Sequence, residues 1–317
     1  MSENSSKAYL NYQRGRQKLY PGCCSALFSN TEERIEEAIK CFKEAGDLYI
    51  LDKNYAEAAK CYNECGLIKQ SNKENPCEYY EQALTCYKKI KDYQNWNDTL
   101  IKLIDNNLTF ASFNYSGKYC MQKAELDEFL QKNNDAMNDY DNALNFFQMD
   151  KSSLKSDIAK CSLKKADLLI LKNNTSFNED IIKSMAIYEE IGEKNIENNG
   201  MSSFVINGFF KNVICNLYYK DVLNAIAYLH KFQENCLEFK NSNEGVFLSK
   251  LIKLFQGEDE EVDLISVNNL NDLYQENKSN LNNIEIEWLN LMMSNLEEKI
   301  KEINKQKPNF AEDEDFK

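Results

Sequence analysis

A chain of 317 residues with 51 acidic against 38 basic side chains carries a net charge of −13. That balance argues against nucleic acid or a bulk anionic membrane surface as the main partner, and leaves room only for a local basic face. Three prolines, ten glycines and no sustained alternation of β-branched residues point to an all-α protein, long enough for two domains or one extended solenoid.

The N-terminal Met1-Ser2-Glu3-Asn4-Ser5-Ser6 has no apolar signal region, and no apolar run reaches 18 residues, so a soluble, cytoplasmic protein is expected. Ala8 to Tyr20 reads as a first helix with basic Arg14, Arg16 and Lys18, broken by Pro21-Gly22. The loop that follows is apolar and uncharged: Cys23, Cys24, Ser25, Ala26, Leu27, Phe28. Loops are usually polar, so this one needs a partner: either the first repeat, or the acyl boundary of a membrane, entered by Leu27 and Phe28. Thr31 is a candidate cap for the next helix, with Glu32 and Glu33 placed to suit its dipole.

From Ile35 the chain repeats itself. Ile35–Gly46 laid over Tyr55–Gly66 gives six identities in twelve positions: Glu37/Glu57, Ala38/Ala58, Lys40/Lys60, Cys41/Cys61, Glu44/Glu64 and Gly46/Gly66. Each copy has one apolar face at helical spacing, and Asp52-Lys53-Asn54 supplies the turn between them. Gly46 and Gly66 would each cost about 0.8–1 kcal/mol inside a helix, which close helix crossing explains. One such pair cannot bury its apolar face alone, whereas stacked pairs can. The expected architecture is therefore a tetratricopeptide-like superhelical sheet of antiparallel helix hairpins over residues 7–198. It carries the apolar loop at 21–30.

Asn75-Pro76 marks a boundary, Tyr79, Ala83 and Tyr87 resume the pattern, and Tyr93–Ile104 follows. The pattern fades from Asn106 to Tyr115, and helices return at Lys118–Leu130, Asp135–Phe147, Asp157–Leu171 and Ile181–Ile191. Lys160 and Lys164 fall one turn apart on a common side. Gly192 to Gly200 reads as a domain boundary. The segments beyond it, Phe204–Tyr218, Val222–Phe239, Gly245–Phe255 and Ile284–Ile303, are more apolar and suit a C-terminal helical bundle over 199–304. Residues 305–317 form an acidic tail ending Glu312-Asp313-Glu314-Asp315-Phe316-Lys317.

Chemistry is sparse. No phosphate-binding loop, dinucleotide fingerprint or nucleophile elbow is present, and the single histidine, His230, sits mid-helix. The eleven cysteines are odd in number, and several (Cys41, Cys61, Cys65, Cys215) occupy apolar helix positions as small hydrophobes, expected to be reduced. Cys61 and Cys65 share a helix face, but no second Cys or His pair completes a metal set. A non-enzyme without cofactor or metal is expected.

Four stretches together resemble the soluble NSF attachment proteins. They are Ser25-Ala26-Leu27-Phe28 ahead of Ile35; the Lys53-Asn54-Tyr55 turn with Ala58-Ala59; Phe209-Phe210-Lys211 followed by Asp221-Val222-Leu223-Asn224-Ala225; and the tail with its penultimate apolar residue. The chain departs from the family in Tyr93–Tyr115, in Phe316 where leucine is usual, and in Cys23-Cys24 where aromatics are common. The resemblance implies an adaptor, cytoplasmic and peripheral at membranes. It would be monomeric when free, and several copies would bind one SNARE complex and recruit the NSF-type AAA+ ATPase. By the same resemblance Lys118, Lys160 and Lys164 would contact the SNARE bundle. Glu258, Asp259, Glu260, Glu261, Glu312, Asp313, Glu314, Asp315 and Phe316 would meet the ATPase, and Cys23, Cys24, Ala26, Leu27 and Phe28 would touch membrane. The alternative is a generic tetratricopeptide peptide-binding adaptor or co-chaperone, which leaves the loop and tail unexplained.

Overall fold

A computed structural model describes residues 2–20, 30–150, 154–172, 179–197 and 202–256, with 287, 288, 290–292, 294 and 298 in the last helix. Among the described residues every regular element is helical. They are α1 (Glu3–Leu19), α2 (Thr31–Leu51), α3 (Tyr55–Ser71), α4 (Cys77–Ile90), α5 (Tyr93–Thr109), α6 (Phe113–Phe129), α7 (Asn133–Met149), α8 (Lys155–Lys172) and α9 (Glu179–Glu197). Then come α10 (Ser202–Cys215), a π-helical turn (Asn216–Lys220), α11 (Val222–Asn235), α12 (Leu237–Asn241) and α13 (Asn243–Gln256). Two compact units result: Met1–Leu130 with Asn145–Ser152, and Gln131–Leu144 with Ser153–Lys317. The boundary expected near residue 199 falls inside the second unit.

The hairpins from α2 to α7 share one turn. Lys53, Lys73, Lys91, Ala111 and Gln131 all have positive φ, between 53° and 60°, and recur every 18 or 20 residues. After the first four, the next amide reaches back five residues to close the helix: Asn54 to Tyr49, Glu74 to Lys69, Asp92 to Tyr87, Ser112 to Asn107. Asn54 and Asp92 then cap the following helix, accepting from the Glu57 and Asn95 amides. The cap of α2 is Asn30, which accepts from the Glu32 amide at 3.0 Å, and not the expected Thr31.

Glycine and aromatic residues interlock from helix to helix. An added Cβ would lie within 3.0 Å of Tyr62 at Gly46, of Tyr80 at Gly66 and of Phe209 at Gly192. The same residue that fills one notch precedes the next by four positions in Phe42/Gly46 and Tyr62/Gly66. Two of the phenols end on the helix that supplies the notch: Tyr62 donates to Asp47 at 2.7 Å, and Tyr80 to Gln70 at 2.8 Å. Gly66→Ala is therefore expected to destabilise despite its better helix propensity. Tyr80 is fully buried and hydrogen-bonded. Overpacking it should outweigh the propensity gain by about 1–2 kcal/mol, read as a lower urea midpoint. A midpoint above the parent's would refute the notch.

Three departures from the sequence reading have physical causes. The faded stretch is helical because α5 runs to Thr109 and α6 begins at Phe113, with Asn106 and Asn107 buried. Their amide groups donate to the Lys102 and Leu103 carbonyls at 2.8 Å, so polar residues occupy inward positions and erase the pattern. Gly192 is helix interior, where Phe209 packs, and not a boundary. The expected Val222–Phe239 helix breaks at extended Cys236, which turns Phe239 into the core, 5.4 Å from the Phe209 ring. Trp288 and Met292 complete that core; Leu289, Met293, Leu296, Ile300 and Ile303 lie outside the described residues.

Candidate functional site

The accessible chemistry of the first unit lies on neighbouring helices α4 and α6. Tyr119 of α6 donates its hydroxyl to Glu81 of α4, and Lys88 of α4 donates to the Gln122 side-chain oxygen of α6 at 2.8 Å. Tyr115, Lys118 and Gln122, spaced three and four apart, make one stripe of α6. Tyr115 is exposed, and the half-buried Lys118 holds its ammonium 5.7 Å from that ring's centre. Among the described residues, neither Lys118 nor Lys88 has a carboxylate within ion-pair distance. Many other lysines do, including Lys18 with Glu37, Lys60 with Glu57 and Lys231 with Glu189 and Glu193. Burial lowers the Lys88 ammonium below the usual lysine range, against the opposing field of Glu125.

In the second unit the two lysines expected to share a surface separate. Lys160 is half-buried, while Lys164 is only 4 % exposed and faces the field of Asp167. Its burial removes Lys164 from the surface expected of it. The loop residues Cys23, Cys24, Ala26, Leu27 and Phe28 lie outside the described residues. So do Glu258, Asp259, Glu260, Glu261, Glu312, Asp313, Glu314, Asp315 and Phe316. His230 is exposed on α11.

Sequence reasoning missed a polar cluster in the core of the second unit. The Lys211 ammonium reaches both Asp167 oxygens, at 2.8 and 2.6 Å, and the Tyr188 hydroxyl donates to Asp167 at 2.7 Å. Lys211 also lies 5.2 Å from the Trp288 ring. Burial pushes the Asp167 carboxyl up, with Lys211 and Tyr188 opposing. The cluster links α8, α9, α10 and the last helix, and with Asp167 wholly buried it has no access for a substrate. Its only sequence signal was the lysine after two phenylalanines at 209–211, a stretch that resemblance singled out and that proves to be core.

The thiols behave as packing groups. Burial pushes Cys61 up to about 12, and Cys77 and Cys86 to about 11, so little thiolate exists near neutral pH. Among the described residues no group of three or more His, Cys, Asp or Glu could hold a metal ion. No described helix is long and apolar enough to cross a membrane.

Comparison with known proteins agrees with this picture. A signal-transduction ATPase with numerous domains and a tetratricopeptide repeat sensor, from Pyrococcus horikoshii, aligns over 94 % of this chain and 44 % of its own, with a TM-score of 0.50 and 10 % identity. That likeness places the fold among tetratricopeptide-like helical repeats. In sequence, a bovine beta-soluble NSF attachment protein is 26 % identical over 231 residues, covering 72 % of this chain and 74 % of its own. A probable vesicular-fusion protein sec17 homolog from Neurospora crassa is 25 % identical over 230 residues, covering 72 % and 76 %. The family model described as soluble NSF attachment protein, SNAP, matches residues 6–278. With that match running through both units, the chain belongs to the soluble NSF attachment protein family.

Proposed function

We propose that this chain is a non-catalytic adaptor that binds assembled SNARE four-helix bundles and brings the NSF-type AAA+ ATPase to them for disassembly during vesicle fusion. The observation that carries the reading is the family match over residues 6–278. Lys118 beside exposed Tyr115 supports it, because a half-buried ammonium with no carboxylate at ion-pair distance among the described residues is a ready contact for an acidic helical bundle. Lys118 and Lys160 are the proposed bundle contacts, and buried Lys164 is not among them. Cys23, Cys24, Ala26, Leu27 and Phe28 would touch membrane shallowly. The acidic groups Glu258–Glu261 and Glu312–Asp315, with Phe316 as apolar anchor, would engage the ATPase. The free chain would be monomeric and cytoplasmic, with several copies on each bundle at the membrane periphery.

The test is retention on immobilised, assembled SNARE bundle, with and without NSF and nucleotide. The chain should be retained by the bundle, and NSF should be retained only when the chain is present, with release on ATP hydrolysis. Retention on an isolated acidic C-terminal peptide but not on the bundle would favour a generic peptide-binding adaptor instead.

A further inference from the structure

We propose that Lys88, with Gln122 and Trp96 around it, is a further cationic contact for the acidic partner of the Lys118 stripe. The inference rests on the proposed binding face and extends it from α6 onto α4. Gln122 belongs to the same stripe as Tyr115 and Lys118, and its side-chain oxygen accepts from the Lys88 ammonium at 2.8 Å. The same ammonium stands 5.2 Å from the centre of the Trp96 ring. Its partners are thus a neutral amide and an aromatic face, and no carboxylate accepts a hydrogen bond from it among the described residues.

This is an unusual environment for a lysine in a chain of net charge −13, where carboxylates are plentiful. Burial disfavours its charged form, against the opposing field of Glu125, and among the described residues one neutral acceptor leaves two of three ammonium protons without a protein acceptor. The surroundings hold the head group in place. Gln122 accepts one proton, the Trp96 ring centre lies 5.2 Å from the ammonium, and the buried indole Nε1 has no acceptor among the described residues. A fixed, partly desolvated cation loses little further solvation or freedom when a carboxylate arrives. The partner this geometry fits is an acidic surface carried on a rigid element, with Asp or Glu side chains reaching Lys118 and Lys88 together.

The closing experiment measures binding of Lys88→Met and, separately, of Lys118→Glu with Lys160→Glu, to the assembled SNARE bundle. Methionine keeps an unbranched side chain of similar length and removes the charge. Binding by Lys88→Met should weaken about five- to tenfold with the thermal midpoint unchanged. Parent-like binding by Lys88→Met, together with weakened binding by the double reversal, overturns the role of Lys88 and leaves the face intact. Parent-like binding by both overturns the face and this inference with it. A second measurement needs no loss of function. In 13C-dimethylated protein, with the Lys88 resonance assigned through its absence in Lys88→Arg, the Lys88 amine should titrate below the exposed lysines when free. It should titrate higher in the complex, because a carboxylate stabilises the charged form. An unmoved titration on complex formation overturns the inference even if Lys88→Met proves unstable.

Discussion

Lys211→Met should destabilise the second unit by about 3–5 kcal/mol, the cost of stripping a buried charge of its partner. Asp167 is wholly buried, and the Lys211 ammonium donates to both of its oxygens, at 2.6 and 2.8 Å. Without Lys211, the Tyr188 hydroxyl and the field of buried Lys164 are what remains among the described residues to answer the carboxylate. The loss should depend on pH, with a definite sign. Burial already raises the Asp167 carboxyl, and removing the ammonium raises it further. A carboxyl whose folded value lies above its unfolded value takes up a proton on folding. Stability then falls as pH rises from the unfolded value through the folded one. The deficit of Lys211→Met should accordingly be smaller near about pH 5 than near about pH 8, where the unpaired anion is retained. The double variant Asp167→Asn with Lys211→Met should recover part of it, because asparagine still accepts from Tyr188 and leaves no buried charge. Denaturant unfolding at the two pH values decides the matter. A deficit below about 1 kcal/mol, or one that does not change with pH, would show that the pair contributes little to the fold.

The second large effect is expected in binding. Lys118→Glu combined with Lys160→Glu should weaken binding to the SNARE bundle about ten- to a hundredfold, because each reversal sets like charges together at an acidic surface. The remaining affinity should vary less with ionic strength, since fewer attractive pairs are left to screen. Neither lysine is a core residue: Lys118 and Lys160 are both half-buried, on α6 and α8. Folding, followed by circular dichroism and thermal midpoint, should therefore match the parent. Unchanged affinity across a salt titration would remove both as contacts. Loss of helicity along with binding would make them structural.

The comparison with Lys211 shows why charge alone does not mark a site. The chain has 38 basic side chains, and by sequence each reads as a solvated face or a contact. Lys164 looked equivalent to Lys160 one turn away, yet it is buried beside Asp167. Lys88 drew no attention, yet it has neutral partners and a lowered ammonium. Of the four stretches that carried the family resemblance, two are structural devices. The Lys53-Asn54 turn is a left-handed residue followed by a helix cap. Phe209-Phe210-Lys211 supplies a ring that fills the Gly192 notch and a cation that neutralises Asp167, while Asp221 beyond it caps α11. A family signature can thus persist for packing reasons while the binding residues lie elsewhere.

What the sequence determined by itself was the local order of the chain. Helical spacing, the repeated Ala, aromatic and Gly positions of Ile35–Gly66, and the polar turns between them identified the hairpins, because helix periodicity and turn chemistry act over only a few residues. The glycines' role followed as well, since a helix keeps a glycine at that cost only where a neighbour must come close. What only the tertiary structure decided were the relations between distant residues. Asp167 meets Lys211 across 44 positions, and Lys88 meets Gln122 across 34. Buried asparagines at 106 and 107 satisfy their own helix, and a single extended residue at 236 turns Phe239 into the core. No local pattern encodes these features, because each depends on which helix face a neighbouring element covers. Burial by that neighbour then decides whether a polar group becomes a core partner or stays available to bind.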